Sequence, residues 1–487
     1  MIRSFNPRTG EAFGPEFAVT SEREIEEILA GAQRAFPVWS ATPPVRRALA
    51  LRAIADALDA NAENLVEVAD QETGLGKGRL TGEVGRTTFQ LRTFAQALES
   101  GDCVKPVLDV AVDAPLPAGH PRFLRTVVGI GPVVVFGASN FPFAFSVMGG
   151  DTASALAAGC PVVIKAHSAH PQTSQKVFDI ALEALLNSGA PSGIIGLGHG
   201  HDFGKVVIAD PRISAGAFTG SKSGGRALFD MAQSRTNPIP FYGELGSINP
   251  VIATISGLQD PVAFATAYLD SLLLGNGQFC TNPSVLFVPN NRDFLDALEN
   301  ILSAREAQPF LSKATKDLHD RNRNLLASST SGKVLDAKPA PETGLYTRAQ
   351  VHIFSARDIS SVEAIHREYF GPTGIVITYE SLGEALHILD QLEGALAASI
   401  FSSESEPQLG KIVASLSRLA GRLCWNAWPT GVAVTTGQHH GGPYPATTSP
   451  LHTSVGVFAI NRFLRPITLQ GFSDELVSSL NVEAGSK

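Results

Sequence analysis

The sequence predicts an α/β fold of two parallel-sheet lobes preceded by a helical segment, on the strength of three patterns in the order of its elements. From Val127 onward strand-like runs (VVVF, PVVIK, GIIGLG, AGAFTGS) alternate with helical stretches, one beginning near Pro142 and another after Thr173. Strands separated by crossover helices lie parallel in one sheet. A second alternation follows, with strands around 284–288, 374–379 and 398–401 and helices near 261–274, 294–304, 360–368 and 382–392, which makes a second lobe. Before both, residues 21–99 carry apolar side chains at spacings of three and four, with Ile25, Ile28, Leu29 and Ala32 on one face. Between the helical lead-in and the first sheet, residues 102–125 turn to β-branched residues broken by proline, an extended excursion of the kind that meets another subunit. The tail from Thr453, ending in VGVFAINRFLRPITLQGF, is strand-like and available to extend a sheet.

Composition narrows the function. The 487 residues are 44% hydrophobic and 17% charged, ordinary for a folded chain of about three domains. Thirty-eight basic against 46 acidic residues leave a net charge of -8, with no basic run able to follow a phosphate backbone or an anionic membrane. Neither nucleic acid nor membrane is an expected partner, no apolar run is long enough for a span, and the expected location is cytoplasmic. The four cysteines, Cys103, Cys160, Cys280 and Cys424, are far apart and in no metal-binding spacing, so no metal is expected.

Three residues carry chemistry by their setting. Cys280 follows a glycine-rich turn in GNGQFCTNP, where the backbone approaches a ligand closely and presents a thiol. A lone Cys among apolar residues is, however, more often an inert core residue. Glu244 in FYGELGSINP sits among glycines and apolar residues, where desolvation raises a carboxyl toward the range of a general base; a strand-end carboxylate is the plainer alternative. Asn140 in FGASNFPF stands at a strand exit, placed either to donate to an oxyanion or to form an Asx turn before Pro142.

Taken together in order, FGASNFPF, PVVIKAHS, FTGS with a further glycine at 225, ELGSINP, GQFC and EYFGP resemble the aldehyde dehydrogenase superfamily over nearly the whole chain. The resemblance implies a parallel-sheet cofactor-binding domain (1–101 and 126–245), an α/β catalytic domain (246–455) and a small β oligomerisation arm (102–125 and 456–487) of a homodimer or homotetramer. It implies Cys280 as nucleophile, Glu244 as general base and Asn140 in the oxyanion hole. For the cofactor, which uses no GxGxxG turn here, it implies Phe218, Gly220, Ser221 and Gly225 near the pyrophosphate, Lys165 at the adenosine ribose, and Glu368 with Phe370 at the nicotinamide ribose. By the same resemblance, Ser168, where many NAD-specific relatives carry Glu, and Lys205 on the helix after GLGHGHDFG favour NADP, with NAD possible.

GASNFPFAFS, KAHSAHPQTS, FCTNP and HHGGPYPATT look most like the 2-oxoglutarate semialdehyde (2,5-dioxopentanoate) dehydrogenases, with broad-specificity or fatty-aldehyde enzymes as the alternative and a catalytically silent structural member outside the class. The expected substrate is a small, anionic aldehyde, met by Arg86, Phe141 and Phe279. Arg86 occupies a position that in other members lines the substrate tunnel with an apolar side chain, and a guanidinium there suits a carboxylate. The loop 438–444 is the other place for such an anchor. One departure is ELGSIN in place of the common ELGGK, which puts Ser247 and Ile248 beside Glu244.

Replacing the nucleophile gives the first test. Cys280→Ala is expected to abolish aldehyde-dependent cofactor reduction while leaving cofactor affinity, measured by fluorescence titration, nearly unchanged; residual turnover above background would remove Cys280 from the reaction.

Overall fold

The computed structural model describes residues 1–101, 105–329, 332–359 and 362–479. Asp102 and Cys103, at the start of the expected arm, and Ser360, the expected start of a helix, lie outside these. After a hairpin of Ile2–Asn6 and Glu11–Phe17, the lead-in is four helices, Glu22–Ser40, Pro44–Ala60, Ala62–Thr73 and Lys77–Ser100. The first starts where Ser21 and Glu24 satisfy each other's backbone N–H groups in a capping box, and Gly74 and Gly101 end the third and fourth in left-handed conformations (φ 67° and 72°). Ile25, Leu29 and Ala32 are buried on the first helix, as its spacing requires.

The first sheet has five parallel strands in the spatial order Ile195–Gly198, Val162–Lys165, Val133–Phe136, Ala215–Thr219, Phe241–Glu244. In chain order this is 3-2-1-4-5, so the connections run in opposite directions on either side of the first strand. The carboxyl ends of the strands beside such a switch point leave a crevice for a ligand. Lys165, Thr219 and Glu244 are all final residues of strands and therefore stand on that one edge.

The second sheet has seven strands, ordered Lys333–Asp336, Gln350–Ser355, Thr373–Tyr379, Val285–Pro289, Val251–Ala253, Ala395–Phe401, Ala420–Trp425; only the first is antiparallel to its neighbour. Its central strands are buried on both faces, which is why they lack a polar–apolar alternation. A third, antiparallel sheet joins Leu464–Gln470, Phe123–Gly129 and Val107–Asp109. No helix among the described residues is long and apolar enough to cross a membrane.

Several elements differ from expectation. No helix begins near Pro142: the chain turns irregularly to Gly149 and the helix is Gly150–Ala157. The carbonyl of Ala144 accepts from Gly150 instead of from the residue four positions on, and Glu83 takes the amides of Phe143 and Ala144 at 2.8 and 3.1 Å. The tail is not a strand from the outset. Residues Val457–Phe463 form a 3-10 helix whose Val457, Ala459, Ile460 and Phe463 are buried, pinned by Arg462 to Asp151 at 2.7 Å, and the strand starts at Leu464. The expected helices at 360–368 and 382–392 narrow to Glu363–His366 and Leu382–Leu389. The Lys313–Ser329 helix, of strongly polar composition, gave no apolar stripe to detect.

Candidate active site

Cys280 follows a turn that only small or amide side chains tolerate. Gly275, Asn276 and Gly277 are all left-handed (φ 57°, 59° and 70°), and a Cβ on Gly277 would lie 2.2 Å from the Gly371 carbonyl oxygen. The turn is held from the second lobe by Asn249, itself at φ 40°, whose amide donates to the carbonyls of Cys280 (2.8 Å) and Asn282 (3.0 Å). Ser247 donates to Asn249 Oδ1 at 2.9 Å, and the backbone N–H groups of Leu396 and Ala397 donate to these two side chains. The unusual ELGSIN stretch thus ties the nucleophile turn to the Ala395–Phe401 strand.

Glu244, at the end of the fifth strand of the first sheet, is 4% exposed. His440 Nε2 donates to its Oε1 at 2.8 Å and Ser454 Oγ to its Oε2 at 2.7 Å. Burial alone would raise this carboxyl; the adjacent His440 and the hydrogen bonds from His440, Ser454 and Cys280 outweigh it and hold Glu244 below the usual carboxylate value. Glu244 is therefore an anion throughout the neutral range. Cys280 Sγ lies 3.6 Å from His440 Nε2. Burial, then the Glu244 charge, push its thiol well above the ordinary value, and the opposing pull of Arg86 does not compensate. The thiol accordingly needs an adjacent proton acceptor, and Glu244 is within hydrogen-bonding reach. The donor atoms of Glu244, Cys280 and His440 lie within 4.8 Å of one another, a set chemically able to take a zinc-like cation, although a metal would have to replace the His440–Glu244 hydrogen bond.

Asn140 is buried at the opposite wall and donates one amide N–H to the Gln278 carbonyl at 3.0 Å. That bond fixes the plane of the amide beside the Cys280 turn and leaves a second N–H for another acceptor. The rings of Phe141 and Phe279, each adjacent in sequence to one of these residues, meet edge to face at 5.1 Å. Arg86 comes from the Lys77–Ser100 helix, lies over the Phe145 ring at 5.0 Å, and donates at 3.4 Å to the Val432 carbonyl; its Nη1 is buried and without a hydrogen-bond partner.

From this centre a cleft of about 850 Å³ runs along the carboxyl edge of the five-stranded sheet. Asn140, Phe141, Glu244 and Cys280 line it together with Lys165, Ser168, Lys205, Phe218, Gly220, Ser221, Glu368 and Phe370. Ser221 caps the Lys222–Gln233 helix, so that helix's positive end faces the cleft, the arrangement that receives a pyrophosphate. Gly225 is not on the wall: a Cβ there would strike Leu245 at 2.1 Å, so its role is close packing beneath the turn. Lys205 pairs with Asp202 at 3.0 Å on the rim. Glu368 faces Gly246, where a Cβ would fall 1.9 Å from its Oε2, and accepts from the Ser247 N–H at 3.2 Å. These features fit a dinucleotide laid across the sheet edge. Sequence reasoning missed His440, Ser454 and Asn249 because each acts through a partner remote in the chain, 196, 210 and 31 residues away respectively. His440 was visible only within the quoted HHGGPYPATT stretch and the 438–444 loop read as an alternative substrate anchor, not as a partner of Glu244.

Comparison with known proteins agrees with this geometry. The profile described as the aldehyde dehydrogenase family matches residues 1–444. The chain is 41% identical to the alpha-ketoglutaric semialdehyde dehydrogenase 2 of Azospirillum brasilense, over 98% of this chain and 92% of that protein. It is 39% identical, with the same coverage, to the alpha-ketoglutaric semialdehyde dehydrogenase of Acinetobacter baylyi. Among solved structures, a 1-pyrroline-5-carboxylate dehydrogenase from Thermus with bound NAD superposes with a TM-score of 0.82 at 21% identity, covering 96% of this chain and 89% of that one. Lactaldehyde dehydrogenase from Escherichia coli does so with 0.82 at 20%, covering 96% and 95%.

Glu368 supplies a pH test. Burial raises its carboxyl from the ordinary 4.5 to about 7 against the pull of the Ser247 N–H. A group raised on folding contributes stability below its unfolded value and loses it as the pH climbs through the folded one. Urea titrations across pH 4 to 8 are expected to show unmutated protein losing stability relative to Glu368→Gln between about 4.5 and about 7, then no further change; parallel curves would refute the shift.

Proposed function

The chain belongs to the aldehyde dehydrogenase family, and we propose that it oxidises 2-oxoglutarate semialdehyde to 2-oxoglutarate through a thioester on Cys280, using NADP+ in preference to NAD+. The observation that carries the substrate is Arg86: a buried guanidinium with an unpartnered Nη1, close enough to Cys280 and Glu244 for their charges to act on it. Such a group disfavours an apolar tail and favours a carboxylate a few carbons from the aldehyde. The two relatives near 40% identity are named for the same substrate.

In this mechanism Glu244, kept anionic by His440 and Ser454, takes the Cys280 proton, and the thiolate adds to the aldehyde carbon. The carbonyl π electrons move to oxygen, where the free N–H of Asn140 and the Cys280 backbone N–H receive the charge. As the oxyanion electrons re-form the C=O bond the hydride leaves the carbon, for which a nicotinamide held beside Glu368 and Phe370 would be the acceptor, and Cys280 keeps the acyl group as a thioester. Glu244 passes the Cys280 proton on to solvent, then deprotonates a water that attacks the thioester; collapse expels the carboxylic acid and the Cys280 thiolate, to which Glu244 returns the second proton. His440, bridging thiol and carboxylate, orients Glu244 for both proton transfers. Lys165 and Ser168 would hold the adenosine ribose, Lys205 its 2′-phosphate in exchange for Asp202, Ser221 and Gly220 the pyrophosphate, and Glu368 with Phe370 the nicotinamide ribose. We assign the third sheet to an arm of a homodimer or homotetramer, for which the exposed Val107, Leu108, Val110 and Leu116 offer apolar surface.

Steady-state kinetics test both specificities. A charged hydrogen bond is worth about 1.5–3 kcal/mol, so Arg86→Ala is expected to lower kcat/KM for the semialdehyde by about ten- to a hundredfold and for hexanal much less; equal losses would make Arg86 structural. Lys205→Ala combined with Ser168→Glu is expected to shift preference toward NAD+, and an unmutated enzyme that favours NAD+ severalfold would end the assignment.

A further inference from the structure

Arg79 takes no part in the chemistry described above, yet it touches both walls of the site. It lies on the Lys77–Ser100 helix two turns before Arg86, with its guanidinium carbon 5.0 Å from the Phe141 ring centre and 4.7 Å from that of Phe279. Its Nη2 donates to the Asn140 backbone carbonyl at 2.6 Å. A Cβ on Gly275 would meet its Nη1 at 2.7 Å, so the guanidinium also fills the space beside the left-handed turn that presents Cys280. Glu83, one turn further along, accepts from the Phe143 and Ala144 amides. The helix therefore grips the first half of an irregular stretch that has no secondary structure of its own to fix it: Arg79 at the Asn140 carbonyl, Glu83 at the amides three and four residues later.

We propose that Arg79 is a positioning residue for the oxyanion hole, setting the Asn140 amide in register with the Cys280 turn by stacking between the aromatic rings adjacent to each. The inference rests on the thioester reading of the site. A planar cation suits the place because it stacks on two rings at once and still donates in its own plane. Loss of register of about 1 Å is enough to cost about a hundredfold in rate.

The test separates a step that develops an oxyanion from one that does not. Alkylation of Cys280 by iodoacetamide is a displacement at carbon with no oxyanion, whereas the first-turnover burst of reduced cofactor requires one. Arg79→Ala is expected to slow the burst by about ten- to a hundredfold, while alkylation rate, aldehyde KM and cofactor affinity change by less than about twofold. On an Asn140→Ala background the same change is expected to add little, the coupling that distinguishes a shared action from two independent ones. Added guanidinium at non-denaturing concentration should restore part of the lost burst, and Arg79→Lys, which keeps the cation, should fall between the two and serves if Arg79→Ala does not fold. Parallel loss of alkylation and burst would show general collapse of the turn and overturn the proposal. So would full additivity with Asn140→Ala, or a loss confined to the keto-acid semialdehyde and absent for an uncharged aldehyde, which would make Arg79 a substrate anchor. No burst in the unmutated enzyme with either aldehyde would overturn the thioester reading and this proposal with it.

Discussion

A carboxylate buried to 4% exposure and kept ionised is an expensive arrangement, and around Glu244 most of the site is organised to meet that cost. Its two oxygens take hydrogen bonds from His440 and Ser454, which belong to the chain just past the second lobe's last strand. Leaving such a charge without partners costs about 3–5 kcal/mol. The segment that carries these partners also pairs with the first sheet through the Glu244–Thr447 bridge and the Leu245–Ala446 hydrogen bond. The two lobes are thus joined at the carboxylate, and the same contacts that satisfy Glu244 bring His440 to Cys280.

The opposite requirement applies to the thiol. Cys280 is placed where burial and a neighbouring anion raise its pKa, so it is a poor nucleophile until its proton has somewhere to go. The acceptor is the group responsible for part of the shift. This makes thiol and carboxylate a coupled pair rather than two independent residues, and it explains why a stabilised anion and a protonated thiol coexist within hydrogen-bonding distance.

The backbone supplies the remaining precision. Asn276, left-handed between two left-handed glycines, and the left-handed Asn249 are strained choices unless the surroundings hold them; Asn249 is held by its own side-chain hydrogen bonds, and the glycine turn by close backbone approach at Gly371. The stretch after Asn140 is likewise irregular, and the Lys77–Ser100 helix takes over the hydrogen bonding that a local helix would have provided.

The order of strands and helices was legible in the sequence, and Cys280, Glu244 and Asn140, the proposed reacting groups, could be singled out there, because each rests on local signals: apolar runs of strand length, glycine-rich turns, and motifs in a familiar order. The same locality accounts for what was misread. Pro142 after Asn140 carries the mark of a helix start, but Glu83 from a distant helix captures the amides that follow; the segment from Val457 to Phe463 reads as strand-like by its apolar run, but Val457, Ala459, Ile460 and Phe463 are buried in a 3-10 turn packed beside Gly150–Ala157. His440, Asn249 and Arg79 have no local signature, since a histidine in a loop, an asparagine after a strand and an arginine on a helix acquire their parts only from groups that folding brings to within about 3–5 Å of them. Sequence determined which chemical groups are available and the sheet edge on which the strand ends stand. Tertiary structure alone decided which groups meet, because hydrogen bonding and charge coupling act over ångströms in space and are indifferent to distance along the chain.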